Sequence, residues 1–418
     1  MSGGPDVEVF AAGCLAAALL HGLAAARIQA LAAPGRRFGA LIHLLGEVEL
    51  VFVSWSLVML LGWTLLGEPK QALHYLATRR YAEPLFVFAV MVVVGTRPML
   101  QFVGTATARL GRLMPARGAE GLYFATLAFL PLLGSLVTEI AAMTVAALVL
   151  RDRLFMFPLS ARLRYATLGV LFVNVSIGGM LTDFAAPPVL MVAGRWGWGS
   201  VDMFRLFGLR ATVAVLFNAT VATWLFRREL RAVAVPDAVA GDAPPRGLVL
   251  AHGIFLAVIV MAGHEPGLFL PVLLLFLVMV RWTGRHQSPV IWRESAFVSL
   301  FLAGLVVLGG MQRWWLQPAL EGFGSDRVFY GSALLTAVTD NAALAYMGSL
   351  VDGSSLEFKV SLLSGAVAGG GLTVIANAPN PAGVALLRGR LPGGRLRPLL
   401  LLLAALPPTL VAVLAFRL

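Results

Sequence analysis

Carboxylates, hydroxyls and side-chain amides interrupt otherwise apolar sequence at four places, and the four form two related pairs. Val137-Thr138-Glu139-Ile140-Ala141-Ala142 returns two hundred residues later as Val338-Thr339-Asp340-Asn341-Ala342-Ala343. Gly178-Gly179-Met180-Leu181-Thr182, running on to Asp183, Ala185, Pro187 and Pro188, is echoed by Gly369-Gly370-Gly371-Leu372-Thr373, running on to Ala376, Asn377, Pro379, Asn380 and Pro381. Together they offer hard oxygen donors: Thr138, Glu139, Thr182, Asp183, Thr336, Thr339, Asp340, Asn341, Thr373, Asn377 and Asn380. Such a set suits alkali cations and protons. A transition metal would want a cluster of Cys and His, and the chain has one cysteine, Cys14.

Each carboxylate needs a reason, because a charged side chain at mid-membrane costs about 2.5–3.5 kcal/mol. For Asp340, Glu139 and Asp183 the first reason is a cation ligand that exchanges its metal ion for protons. The second is a cap on the N-terminus of a half-helix. The asparagines have the same two readings, since they could simply satisfy unwound backbone. Pro379 and Pro381 enforce a break.

The elements that position these groups must be membrane helices. Hydrophobic residues make up 59% of the 418-residue chain, charged residues 13%, and mean hydropathy is +0.85. Soluble domains carry about 25% charged residues. Spans are expected at about 8–27, 39–64, 83–103, 161–195, 203–226, 247–263, 266–282, 294–311, 357–388 and 396–416. Two further apolar stretches, 121–150 and 326–351, are interrupted midway by the Thr-acid motif and read as re-entrant hairpins. The spans 161–195 and 357–388 carry the Gly-Gly motif and the prolines and read as broken helices, which need a protein interior or a wet cavity around them.

Positive charge orients this arrangement. With the N- and C-termini outside, 21 of the 32 basic residues, Arg36, Arg37 and Arg117 among them, fall on the cytoplasmic side. The net charge of +11 therefore reads as topology rather than as a nucleic-acid surface. Each half has five crossings, one of them a broken helix, plus one hairpin. Five is odd, so the second half is inverted. The expected fold is an all-α polytopic membrane protein of two inverted-topology repeats, 1–228 and 247–418, joined by a cytoplasmic linker at 229–246. No nucleophile elbow, zinc-protease motif or phosphate loop is present, so no enzyme activity is expected. Glu47 and Glu49 lie at a depth comparable to Arg97, which suggests a structural ion pair among the outer helices, with a proton path the alternative.

Two inverted repeats, each with a hairpin and a Gly/Asn/Pro-rich broken helix, resemble the ion transporter superfamily, which includes dicarboxylate and citrate carriers, arsenite pumps and several sodium–proton antiporters. The run Thr339-Asp340-Asn341-Ala342-Ala343-Leu344 resembles a bacterial family of sodium–proton antiporters. The sodium–dicarboxylate branch carries Ser-Asn-Thr at its hairpin tips. Here each tip carries an acid, which repels an anion and favours a cation. The resemblance implies a secondary transporter of the bacterial inner membrane, exchanging Na+ for H+ by alternating access. The residues themselves point to Asp340 and Asp183, one titratable group from each half, as the Na+ ligands. The resemblance also implies a homodimer and an elevator-like movement. Na+ and H+ would be cargo, and no cofactor is expected. The alternative is an organic-anion or oxyanion carrier of the same superfamily, for which Arg210 is the one obvious anchor.

Overall fold

A computed structural model describes residues 4–31, 39–66, 69–113, 118–234, 244–263 and 265–418, and among these the chain is helical, with no strand. The loop residues Arg36, Arg37 and Arg117 and positions 235–243 of the expected linker lie outside the described residues. It is a multi-pass membrane protein. Among the described residues six helices are long and apolar enough to cross a bilayer, or seven if the bent pair Ala82–Val94 and Arg97–Arg112 is one span. Two other expected spans, Arg246–Ala262 and Pro266–Trp282, are helices of 17 residues. At 1.5 Å per residue each extends about 26 Å, slightly less than a bilayer core of about 30 Å.

Two expected spans differ in detail. The stretch 39–64 is two helices, Gly39–Leu45 and Val48–Leu65. They part at Gly46, a poor helix former, beside Glu47, whose carboxylate is drawn to Arg293 at 3.0 Å and His43 at 3.3 Å. The stretch 83–103 bends by 71° between Val94 and Arg97. Pro98 cannot continue a helix through this point, because its ring has no N–H and crowds the preceding turn. Two short helices, Pro69–Ala77 and Arg313–Leu320, had no counterpart among the expected spans.

The polar motifs all fall at helix interruptions. Ala119–Leu133 and Glu139–Val149 form a first helix pair, and Ser325–Thr336 and Asn341–Ser349 a second, within the stretches expected as hairpins. Ala161–Gly178 passes through a single tight turn, Gly179–Leu181, loses helical form, and resumes at Pro187–Trp196. Leu356–Gly369 ends likewise and resumes at Pro379–Leu387. Proline at the restart suits both second halves, since its missing N–H would have no partner in the first turn.

Packing places these interruptions at the centre. The helix Ala161–Leu181 is 89% buried, whereas Pro5–Ala25 is 28% buried and turns Leu20 and Leu23 outward to lipid. The halves interlock. Pro187–Trp196 lies against Asn341–Ser349, and Pro379–Leu387 lies against Glu139–Val149, so each broken helix finishes on the other half's helix pair. Around them Val48–Leu65, Ala82–Val94 and Trp292–Gly309 form an outer layer, held in part by Ser56 Oγ donating to the Gly304 carbonyl at 2.8 Å.

Candidate functional site

The two helix pairs are tied to the two breaks by matching bonds. In the first half the Thr182 hydroxyl donates to the Ser135 carbonyl at 2.6 Å, and the Glu139 N–H donates to the Ala185 carbonyl at 3.3 Å. In the second half Thr373 donates to Ala337 at 2.9 Å, and the Asn341 N–H donates to Ala376 at 3.0 Å. These bonds equate Glu139 with Asn341, one residue beyond the match that the motifs suggest. Capping agrees. Thr138 is the N-cap of its helix, its hydroxyl accepting from the Ala141 N–H at 3.2 Å. Asp340 is the N-cap of the other, its Oδ1 accepting from Ala342 at 2.8 Å and Ala343 at 3.2 Å. Glu139 and Asn341 each stand first inside a helix.

Glu139 is fully buried and is no cap. Its Oε2 accepts from the Asn377 side-chain amide at 3.0 Å, and its Oε1 has no partner. Gly179 makes room for it, because a Cβ there would stand 2.5 Å from Glu139 Cγ. Gly370 makes room for Ser176 first and for Asn341 second, whose Nδ2 would stand 2.9 Å from a Cβ there. Asn341, Asn377 and Asn380 are fully buried too. Among the described residues neither amide atom of Asn341 has a partner, and the Oδ1 atoms of Asn377 and Asn380 have none. Asn380 Nδ2 donates to the carbonyls of Gly370 at 2.8 Å and Thr373 at 2.9 Å, so this residue does satisfy unwound backbone. Burying a polar atom without a partner costs about 1–3 kcal/mol, and several such atoms lie together here.

Asp340 is half-buried and puts both its bonds on Oδ1. It lines a narrow cavity of about 20 Å³ with Asn377, Val374, Ile375, Ala378 and Pro381 from the second break, and with Val48, Glu49, Val298 and Phe301 from the outer layer. Thr336 spends its hydroxyl on the Ser332 carbonyl of its own helix, and Thr339 precedes Asp340 half-buried.

Asp183 stands apart from this group. Its carboxylate accepts a hydrogen bond from the Ser200 hydroxyl, and among the described residues no hydrogen bond joins it to Asp340 or Glu139. The first-half carboxylate brought into contact with the second break is Glu139. Glu47 pairs with Arg293 and His43, partners that the comparison of depth with Arg97 did not suggest. Sequence reasoning also missed Glu49 as a cavity residue. Its one signal is position, an acid in the first turn of an apolar helix just past Gly46.

The geometry is a buried oxygen-rich centre with carboxylates from both halves and, among the described residues, no basic side chain lining its cavity. Over residues 6–418 the chain matches the model of a family described as Putative Na+/H+ antiporter. The chain belongs to this antiporter family. A search of curated proteins finds no match to it. For an antiporter the donor set is apt: carboxylates bind either a hard cation or a proton, and uncharged amide oxygens complete a shell without adding charge. Among the described residues no three of His, Cys, Asp and Glu gather closely enough to hold a metal ion.

Proposed function

We propose that the protein exchanges an alkali cation, Na+ foremost, for protons, with Glu139 and Asp340 as the groups that bind one or the other and Asn377 and Asn341 as uncharged ligands. The observation that carries this reading is the fully buried Glu139 carboxylate, which meets a single amide donor beside a set of unpartnered amide oxygens. A carboxylate kept only for structure would be capped or ion-paired. Thr138, Thr182, Thr339, Thr373 and Asn380 then shape the site through the backbone. Asp183, bonded to Ser200, is a second titratable group at the first break, where its counterpart in the second break is Val374.

The helix pairs are re-entrant hairpins in this reading, and the halves are repeats of opposite topology, supported by the matching bonds at the two breaks and by the crossed packing. Hairpins and broken helices would move as one body against the outer layer, as an elevator in a homodimer of the bacterial inner membrane with both termini outside. The decisive experiment uses proteoliposomes under an imposed pH gradient. Na+, Li+ or K+ should collapse the gradient, whereas citrate and succinate should not. Carboxylate uptake indifferent to the pH gradient would replace this reading with that of an anion carrier.

A further inference from the structure

The cavity beside Asp340 has two walls of different origin. One belongs to the second helix pair and second break: Asp340, Val374, Ile375, Asn377, Ala378 and Pro381. The other belongs to the outer layer: Val48 and Glu49 from Val48–Leu65, Val298 and Phe301 from Trp292–Gly309. These two outer helices are fastened to one another. Ser56 donates to the Gly304 carbonyl at 2.8 Å, and Phe52 meets Phe301 edge to face with ring centroids 5.3 Å apart. Glu49 is thereby fixed to the outer layer, which meets the second helix pair across this seam and through the Tyr346 hydroxyl donating to the Val306 carbonyl at 3.4 Å.

Seven of the ten lining residues are apolar, so the seam is suited to sliding. Its polar members are Glu49, Asp340 and Asn377. Asn377 is fully buried, its Nδ2 is engaged by Glu139, and its Oδ1 has no partner. Glu49 makes no ion pair among the described residues, since the neighbouring Arg293 is taken by Glu47. The space of about 20 Å³ is that of about one water, or one ion of similar size. A charged group in an apolar seam, facing a second carboxylate and an amide with a vacant acceptor, is costly unless it acts on whatever occupies that space.

We infer that Glu49 is a stationary carboxylate of the ion site, lent by the outer layer in the conformation described here and left behind when the inner helices move. This rests on the exchange reading above. Its consequence is that the two membrane faces see sites of different composition. With Glu49 present, the cation meets one more negative group than it does after the movement, so its affinity is higher on one face. The positions of the cavity walls make Glu49 a residue of sidedness rather than of the chemistry itself.

The test compares half-saturating Na+ concentrations for exchange in right-side-out and everted membrane vesicles, for wild type, Glu49→Gln, Glu49→Asp and Glu47→Gln. Glu49→Gln should raise the value about tenfold on one face and less than about twofold on the other, a usual size for coupling between a site and a conformational state. Glu49→Asp, which keeps the charge but shortens the reach, should move the same face by a smaller factor and carries the test if Glu49→Gln fails to fold. Glu47→Gln, which frees Arg293 to approach Glu49, should move the same face in the same direction as Glu49→Gln by a smaller factor. Equal shifts on both faces, or none on either, overturn the inference while leaving exchange intact. Absence of cation-driven proton movement in the wild type overturns the exchange reading and this inference together.

Discussion

Removal of the Asn377 amide tests whether Glu139 is held as a charged ligand. Asn377 Nδ2 donates to Glu139 Oε2 at 3.0 Å, and both side chains are fully buried. A hydrogen bond to a charged partner contributes about 1.5–3 kcal/mol, against about 0.5–1.5 kcal/mol between neutral groups. Asn377→Ala should therefore lower the unfolding free energy by about 1.5–3 kcal/mol in the wild-type background. In a Glu139→Gln background, where the acceptor survives without its charge, the same change should cost about 0.5–1.5 kcal/mol. The difference, about 1 kcal/mol or more, exceeds the scatter of about 0.3–0.5 kcal/mol expected of independent sites. Denaturant titration of the four purified proteins in mild detergent, followed by tryptophan fluorescence, closes the cycle. At about 1.4 kcal/mol per tenfold, the loss in Asn377→Ala also corresponds to a rise of roughly 10–100-fold in half-saturating Na+. Additive effects in the cycle would mean that Asn377 does not support a charged Glu139, and the site built on that pair would fall.

Gly179→Ala drives a methyl into the space of the Glu139 side chain, and overpacking of this kind costs about 1–3 kcal/mol. It should lower thermal stability and abolish exchange, whereas Gly253→Ala, with open space around it, should do neither. Asp340→Asn keeps an N-cap of equal quality for Asn341–Ser349, so stability should change by less than about 0.5 kcal/mol while exchange disappears; wild-type exchange by a monodisperse variant would refute the assignment. Asp183→Asn keeps an acceptor for Ser200 and should alter the voltage or pH dependence of exchange without abolishing it; unchanged dependence reduces Asp183 to a structural role. Single cysteines at 138–140 in a Cys14→Ser background should react with an impermeant thiol reagent from the cytoplasm, and those at 339–341 from outside. Labelling of both sets from one face in every condition would sink the inverted arrangement.

The helix interruptions were legible because polar groups, paired glycines and prolines are conspicuous against apolar sequence, and the structure breaks its helices at each of them. The register between the halves was not. Thr138-Glu139 and Thr339-Asp340 look equivalent as letters, yet Thr138 and Asp340 are the caps while Glu139 and Asn341 begin the helices. Either a hydroxyl or a carboxylate can cap, so local sequence does not say which of two adjacent polar residues will. The pairing of Asp183 with Asp340 followed from aligning one carboxylate per half. It did not anticipate that Ser200 would take Asp183 or that Asn377 would reach Glu139 across 238 positions. Glu47 and Glu49 show the same limit. The fold brings Arg293 to Glu47 from 246 positions away, a partner that depth along a helix does not suggest.

The crossing of the halves has a consequence for how the chain is made. Glu139 enters the membrane long before the amide that will meet it. At synthesis rates of about 5–20 residues per second, the 238 positions between Glu139 and Asn377 take roughly 12–48 s to translate. Throughout that interval the first half carries an acid with no partner, and its broken helix lacks the Asn341–Ser349 surface on which it finishes. The nascent first half must therefore wait, with its polar segment shielded by lipid headgroups, water or insertion machinery, until its complement arrives. The buried polar centre is completed only when the second half arrives, and a chain stopped between the halves leaves Glu139 without its Asn377 partner.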